Sequence, residues 1–310
     1  MSSTAEESSV APVYISKWRD TVKDLVAGAA GGVAQVKAEQ YLDLVKVRLQ
    51  TQGGTKNNAL FLTQQIWKRE GPLSFYKGSL VPLLGVGACV SIQFGAFHYF
   101  RQLIEHHNHQ TNPTLPTTLT LPQYYLAGCF AGLTNSLISG PIEHIRIRLQ
   151  TQPHGALALY TGPFDCARKI ISQAGVLRGL YRGQVATLIR EGHGIGVWFA
   201  SYEGFLGLAA QRQGKRRDEL PSWQIAVCGG LAGEMLWLLS HPVDVIKSKM
   251  QSDGFGRDQR YKGFREAVRM TWRGEGVSGL FFGIGPALAR AMPVSAGTFA
   301  MVELVRKVLA

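Results

Sequence analysis

The sequence predicts an all-α membrane protein: six transmembrane helices in three pseudo-symmetric repeats of about 100 residues, with short helices between the two spans of each repeat. Three observations carry this. An acidic-basic segment recurs without gaps as Tyr41–Gln50, Pro141–Gln150 and Pro242–Gln251, and its acids Asp43, Glu143 and Asp244 stand 100 and 101 residues apart. Thirteen residues before each segment stand Gly28, Gly128 and Gly229, each followed four residues later by Gly32, Gly132 and Gly233, a spacing that lets helices approach closely. Each third also holds two apolar stretches of spanning length, near residues 22–52 and 78–105, 121–152 and 183–210, and 222–251 and 284–309.

Taken in order, residues 1–21 form a polar tail, and residues 22–106, 121–210 and 222–310 form the three repeats of one domain. The tail carries Glu6 and Glu7 but neither an apolar signal core nor an Arg-rich amphipathic presequence, so targeting is expected to use internal signals. No window offers twenty uninterrupted apolar residues; it is the repeat that argues for membrane helices. Between the spans of each repeat lies an amphipathic segment, clearest at Tyr160–Asp165 and Tyr261–Glu266, expected to form a short surface helix. These segments close with Gly71 to Gly78, Gly175 to Gly183 and Gly276 to Gly283, the last three residues reading Tyr-Lys-Gly, Tyr-Arg-Gly and Phe-Phe-Gly. The loops within repeats hold fourteen Lys and Arg against four in the linkers between repeats, which turns the former toward the more negative compartment.

The net charge of +12 and pI near 9.7 suit a nucleic-acid binder, a protein facing anionic lipid, or a carrier of anionic solutes. The charges gather in loops rather than along one helix face, which argues against a basic helical protein that binds nucleic acid. Gly is enriched, at 36 of 310 residues, as suits closely packed membrane helices. Cys89, Cys129, Cys166 and Cys228 make no CxxC pair, so neither a metal site nor a disulfide framework is indicated. No nucleophile-base arrangement or phosphate-cradling loop stands out, and neither catalysis nor a cofactor is expected.

The signature Pro-x-[Asp/Glu]-x-x-[Lys/Arg]-x-[Lys/Arg], three times at this spacing and once imperfectly, resembles the mitochondrial carrier family over residues 22–309. The resemblance implies a monomer in the inner mitochondrial membrane, a pore on a three-fold pseudoaxis, intra-repeat loops in the matrix and both termini in the intermembrane space. In each copy acid and base stand three apart on one helix face, which allows a local pair. The family instead pairs the acid of one repeat with the base of the next. That gives a matrix gate of Asp43 with Arg146, Glu143 with Lys247 and Asp244 with Lys46, braced by Gln50, Gln150 and Gln251 one turn further on. A second, cytoplasmic gate is expected at Phe97-His98-x-x-Arg101, Tyr202-Glu203-x-x-Leu206 and Val302-Glu303-x-x-Arg306. The missing acid at His98 and missing base at Leu206 fall in one pair, leaving Glu203 with Arg306 and Glu303 with Arg101; the other reading is interfacial charge.

Thirteen residues before His98, Glu203 and Glu303 stand the symmetry mates Gly85, Arg190 and Arg290, roughly 20 Å deeper by helix rise. Two arginines at mid-depth are costly unless they face water and a counter-ion. With the adjacent Glu191 they make a site for a carboxylate and an ammonium, as in an amino acid or carnitine; the other reading is a structural Arg190–Glu191 pair. Leu83–Gly87, Gln93–Gly95 and His193–Gly196 resemble fungal members that carry glycine or glutamate, with carnitine, acylcarnitine or basic amino acids as the alternative solutes. Lys77-Gly78 and Arg182-Gly183 resemble helix starts that bind cardiolipin; the third copy lacks the base. The first repeat departs from the pattern, with Lys37 and Glu39 charged within the span and Tyr41 where the other repeats have proline. A straighter first helix and a weaker matrix gate are expected there.

Overall fold

The computed structural model describes residues 39–51, 58–111, 119–153, 155–216 and 219–290. All regular structure among them is helical. The first repeat contributes α1 (residues 39–51), α2 (Ala59–Glu70) and α3 (Leu80–Thr111). The second contributes α4 (Leu121–Thr151), α5 (Pro163–Gly175) and α6 (Gln184–Gln213). The third contributes α7 (Ser222–Ser252), α8 (Phe264–Gly279) and the start of α9 at residues 284–290. At 30 to 32 residues, α3, α4, α6 and α7 measure about 45 Å, longer than the hydrocarbon thickness of a bilayer.

Among the described residues no single helix is long and apolar enough to cross a membrane by hydropathy; Pro72–Leu83 and Gly87–Thr111 pass together, bent by 49°. The reason is the charge the helices carry on one side. Asp244 and Lys247 of α7 are buried, whereas Leu238 and Leu239 are exposed; on α4, Arg148 is buried and Leu137 and Ile138 are exposed. Charge inside and apolar surface outside is the arrangement lipid demands.

The intra-repeat helices each bury one short stripe: Leu62 and Ile66 of α2, Cys166 and Ile170 of α5, and Ala267 and Thr271 of α8. The four-residue spacing puts each pair on one face, against the ends of the long helices. Within the second repeat, α4 and α6 meet through glycine. A Cβ at Gly132 would lie 2.2 Å from the backbone oxygen of Glu191, and one at Gly128 2.8 Å from that of Ile195. Gly28 and Gly32 lie outside the described residues.

Three glycines close the ring of repeats. Gly78, Gly183 and Gly283 have φ near +80°, a backbone conformation that favours glycine, and each leads into the second long helix of its repeat, α3, α6 and α9. A Cβ at Gly78 would touch Arg146 and Gln150 of the second repeat at 3.4 Å. At Gly183 it would lie 3.1 Å from Gln251 of the third, and at Gly283 3.0 Å from Lys46 of the first. The contact thus runs from first to second to third and back to first, as a three-fold pseudoaxis requires.

Candidate functional site

The acidic-basic segments fill most of α1 and the C-terminal thirds of α4 and α7, where the helices converge. Asp43 binds Arg146 at 3.0 Å, Glu143 binds Lys247 at 2.9 Å and Asp244 binds Lys46 at 2.7 Å. Each pair joins one repeat to the next. The local alternative appears once, as Lys247–Asp244 at 3.3 Å beside the longer-range pairs. Gln50 donates to Asp244 at 3.0 Å and Gln150 to Asp43 at 3.2 Å. Gln251 departs from this scheme, turning to the Thr187 hydroxyl at 3.4 Å. Its carboxylate, Glu143, already accepts from two cations, Lys247 and Arg190 at 2.8 Å.

Beside this ionic layer lies a cavity of about 500 Å³. It follows α7 from Ile225 to Ser248 and reaches Tyr202 on α6. Arg190 and Arg290 line it, as the symmetry argument predicts. Gly85 does not: the place of its missing side chain points at Ile142, 2.8 Å away on α4. Glu191 is not part of the lining either. It is 4% exposed and its carboxylate is bonded to Arg190, so it sits behind that arginine. Among the described residues, the carboxylate that does face the cavity beyond the ionic layer is Glu39, 3.3 Å from Arg290. The same guanidinium nitrogen reaches Asp43 at 3.3 Å. The Nε–H groups of Arg146, Arg190 and Arg290 are buried with no acceptor among the described residues.

Trp237, which sequence reasoning passed over, lies under two of these cations, with Lys46 4.0 Å and Arg290 4.3 Å from its ring. Its position one turn before the Ser240-His241-Pro242 run was the available signal, since a Trp on the charged side of a span faces the cavity rather than lipid.

Of the second expected gate, Glu303 and Arg306 lie outside the described residues. Arg101 is bonded to Glu105 on its own helix at 2.8 Å and lies within electrostatic reach of Glu203. Leu206, where a base is missing, is buried with Leu220 and Cys228. Both bases expected to meet lipid are committed to protein carboxylates. Lys77 binds Glu70 at 2.8 Å, and Arg182, only 8% exposed, binds Asp253 at 2.5 Å. Lys77 meets the last residue of the short helix α2, and Arg182 meets a carboxylate at the end of α7 in the next repeat, contacts that spacing alone does not reveal. Tyr41 faces away from the cavity: its hydroxyl meets Thr63 at 3.1 Å and its ring lies 4.9 Å from Phe75. It fastens α1 to α2, whereas Pro141 and Pro242 sit inside continuous helices. Lys37 lies outside the described residues.

The sequence model described as mitochondrial carrier protein matches three times, at residues 17–108, 117–212 and 218–310. The chain is 41% identical over 290 residues to the mitochondrial glycine transporter YMC1 of Saccharomyces cerevisiae, covering 93% of this chain and 92% of that one. It is 43% identical over 289 residues to the glutamate/glycine mitochondrial carrier ymc1 of Schizosaccharomyces pombe, covering 92% and 94%. To the human mitochondrial carnitine/acylcarnitine carrier protein it is 34% identical over 295 residues, covering 93% and 94%. Three matched repeats, each joined to the next by an ion pair among α1, α4 and α7, make one conclusion: the chain belongs to the mitochondrial carrier family, multi-pass transporters of the inner mitochondrial membrane that are not enzymes.

Proposed function

We propose that the protein carries a small amino acid, glycine or one like glutamate, by alternating access, with the ionic layer as its matrix gate. The observation that carries this reading is the cavity, closed on one side by three inter-repeat ion pairs and lined by the guanidinium groups of Arg190 and Arg290. A carboxylate solute satisfies such donors. Arg190 and Arg290 also contact Glu143 and Asp43, so site and gate share carboxylates. A solute that draws the arginines toward itself therefore alters two of the three gate pairs directly. Differential binding to the occluded state supplies the energy of opening. The names of the two fungal relatives, one a glycine transporter and one a glutamate/glycine carrier, point to the same solutes.

In this reading the intra-repeat loops face the matrix, both termini face the intermembrane space, and the protein acts as a monomer. Glu203, within electrostatic reach of Arg101, belongs to a gate on the opposite side. Cardiolipin phosphate binds at the starts of α3 and α6, at Gly78 and Gly183, through backbone N–H groups and the positive helix end, because Lys77 and Arg182 spend their charge on Glu70 and Asp253. Uptake of labelled glycine, glutamate and carnitine into proteoliposomes tests the solute. Glycine or glutamate should enter, and Arg190→Ala should abolish entry with membrane insertion intact. Carnitine uptake without amino-acid uptake, or normal kinetics in Arg190→Ala, would refute the proposal.

A further inference from the structure

The ionic layer is electrically balanced, with three acids and three bases. Beyond it the cavity lining carries two more cations, Arg190 and Arg290. Glu191, buried against Arg190, offsets one of them. Glu39, on the lining itself, offsets the other, through its contact with Arg290. Among the described residues the site is therefore neutral with Glu39 and carries one excess positive charge without it. The balancing charge is peculiar to one repeat: the mates of Glu39 are Ser139 and Ser240, both buried.

We infer that Glu39 sets the net charge of the solute, accepting its ammonium group and so selecting a net-neutral amino acid over an anionic one. This rests on the amino-acid reading of the same cavity. The guanidinium groups of Arg190 and Arg290, which line the cavity, are the donors for an α-carboxylate. Glu191 is enclosed and bonded to Arg190, which among the described residues leaves Glu39 as the carboxylate beyond the ionic layer that a solute ammonium can reach. A zwitterion leaves the cavity balanced. A solute with a second carboxylate brings a negative charge into a desolvated site already balanced by protein acids, and that charge is costly to leave uncompensated. Replacing Glu39 by an isosteric amide frees one positive charge for it.

The test uses the full chain in proteoliposomes, with initial rates of labelled glycine uptake and with glutamine and glutamate as competitors, which differ in charge at nearly equal size. In the wild type, glutamine should inhibit at about tenfold lower concentration than glutamate, the ratio expected from one ion pair. Glu39→Gln should bring the two inhibition constants within about twofold of each other or reverse them, and Glu39→Asp should keep the wild-type order. Equal inhibition of the wild type by both competitors, or an unchanged ratio in Glu39→Gln, overturns the inference. The competition in the wild type decides even if Glu39→Gln fails to insert. Absence of both glycine and glutamate uptake in the wild type would overturn the amino-acid reading itself, and the inference with it.

Discussion

The Arg182 guanidinium donates to the Asp253 carboxylate at 2.5 Å, tying the start of α6 in the second repeat to the end of α7 in the third. Its neighbours explain why. In the first repeat Glu70 binds Arg48 and Lys77, and in the third Glu275 binds Lys249 at 2.5 Å. The second repeat has Ala174 in this place, so its bases turn to the next repeat: Arg148 reaches the Asp253 backbone oxygen, also at 2.5 Å. Asp253 further accepts from the backbone N–H groups of Arg260 and Tyr261.

Asp253→Ala should therefore strand a buried guanidinium and cost about 3–5 kcal/mol, read as a large fall in thermal midpoint in detergent. Asp165→Ala, which breaks the exposed Asp165–Lys169 pair, should leave the thermal midpoint nearly unchanged. Adding Ala174→Glu to Asp253→Ala returns a carboxylate to the place the other repeats use, and should recover part of the loss. Equal effects of the two alanine variants would show that the inter-repeat contact contributes nothing special.

Exchanging the charges of Lys46 and Asp244 tests the third gate pair. Either single reversal should abolish transport, and the double exchange should recover a fraction of it. Recovery is expected to be partial, since Lys46 also lies over Trp237 and Gln50 donates to Asp244. A double variant no better than the singles would mean that the pair is not a reversible gate contact.

Three copies in register showed which acids and bases correspond, but left local i,i+3 pairs open beside pairs between repeats; the resemblance to the carrier family chose the latter. The same logic failed wherever a residue's neighbours break the symmetry. Gln251 matches Gln50 and Gln150 by position, but Arg190 supplies Glu143 with a second cation and removes the need for a brace. Glu191 follows Arg190 in sequence, and adjacency on a helix turned it behind that arginine rather than beside the cavity. Gly85 shares the depth of Arg190 and Arg290 but packs against Ile142. Depth follows from helix rise, whereas facing depends on the packing of particular side chains.

Glu70 offers a pH test outside the spans. Burial alone would raise its carboxyl, but hydrogen bonds and charge from Arg48 and Lys77 outweigh burial and hold it down, from its ordinary 4.5 to about 2. Because the folded-state value lies below the unfolded one, this contribution is present in full above about pH 4.5 and fades as pH falls toward about 2. Glu70→Gln should lower the thermal midpoint at pH 7, with the gap from wild type narrowing below about pH 4.5. A gap that stays constant down to the lowest pH tolerated would show that the ion pairs are not its source.

The contact between α4 and α6 makes a separate demand, because what faces Gly132 is backbone. A Cβ there would sit 2.2 Å from the Glu191 oxygen and 2.6 Å from its carbonyl carbon, and neither can rotate away. Gly132→Ala must push the helices apart at the level where α6 presents Arg190 to Glu143. Overpacking of this kind costs about 1–3 kcal/mol, and here it also moves a cavity-lining arginine. Transport should fall by more than the loss of folded protein accounts for. Gly207, exposed on the same helix α6 with nothing within 4 Å of its missing Cβ, provides the contrast. Gly207→Ala should be neutral or stabilise by about 0.5–1 kcal/mol, through the better helix propensity of alanine. If Gly132→Ala matched Gly207→Ala in thermal midpoint and uptake rate, the two helices would not need the close approach described for them, and the position of Arg190 would have to be explained by its ion pairs alone.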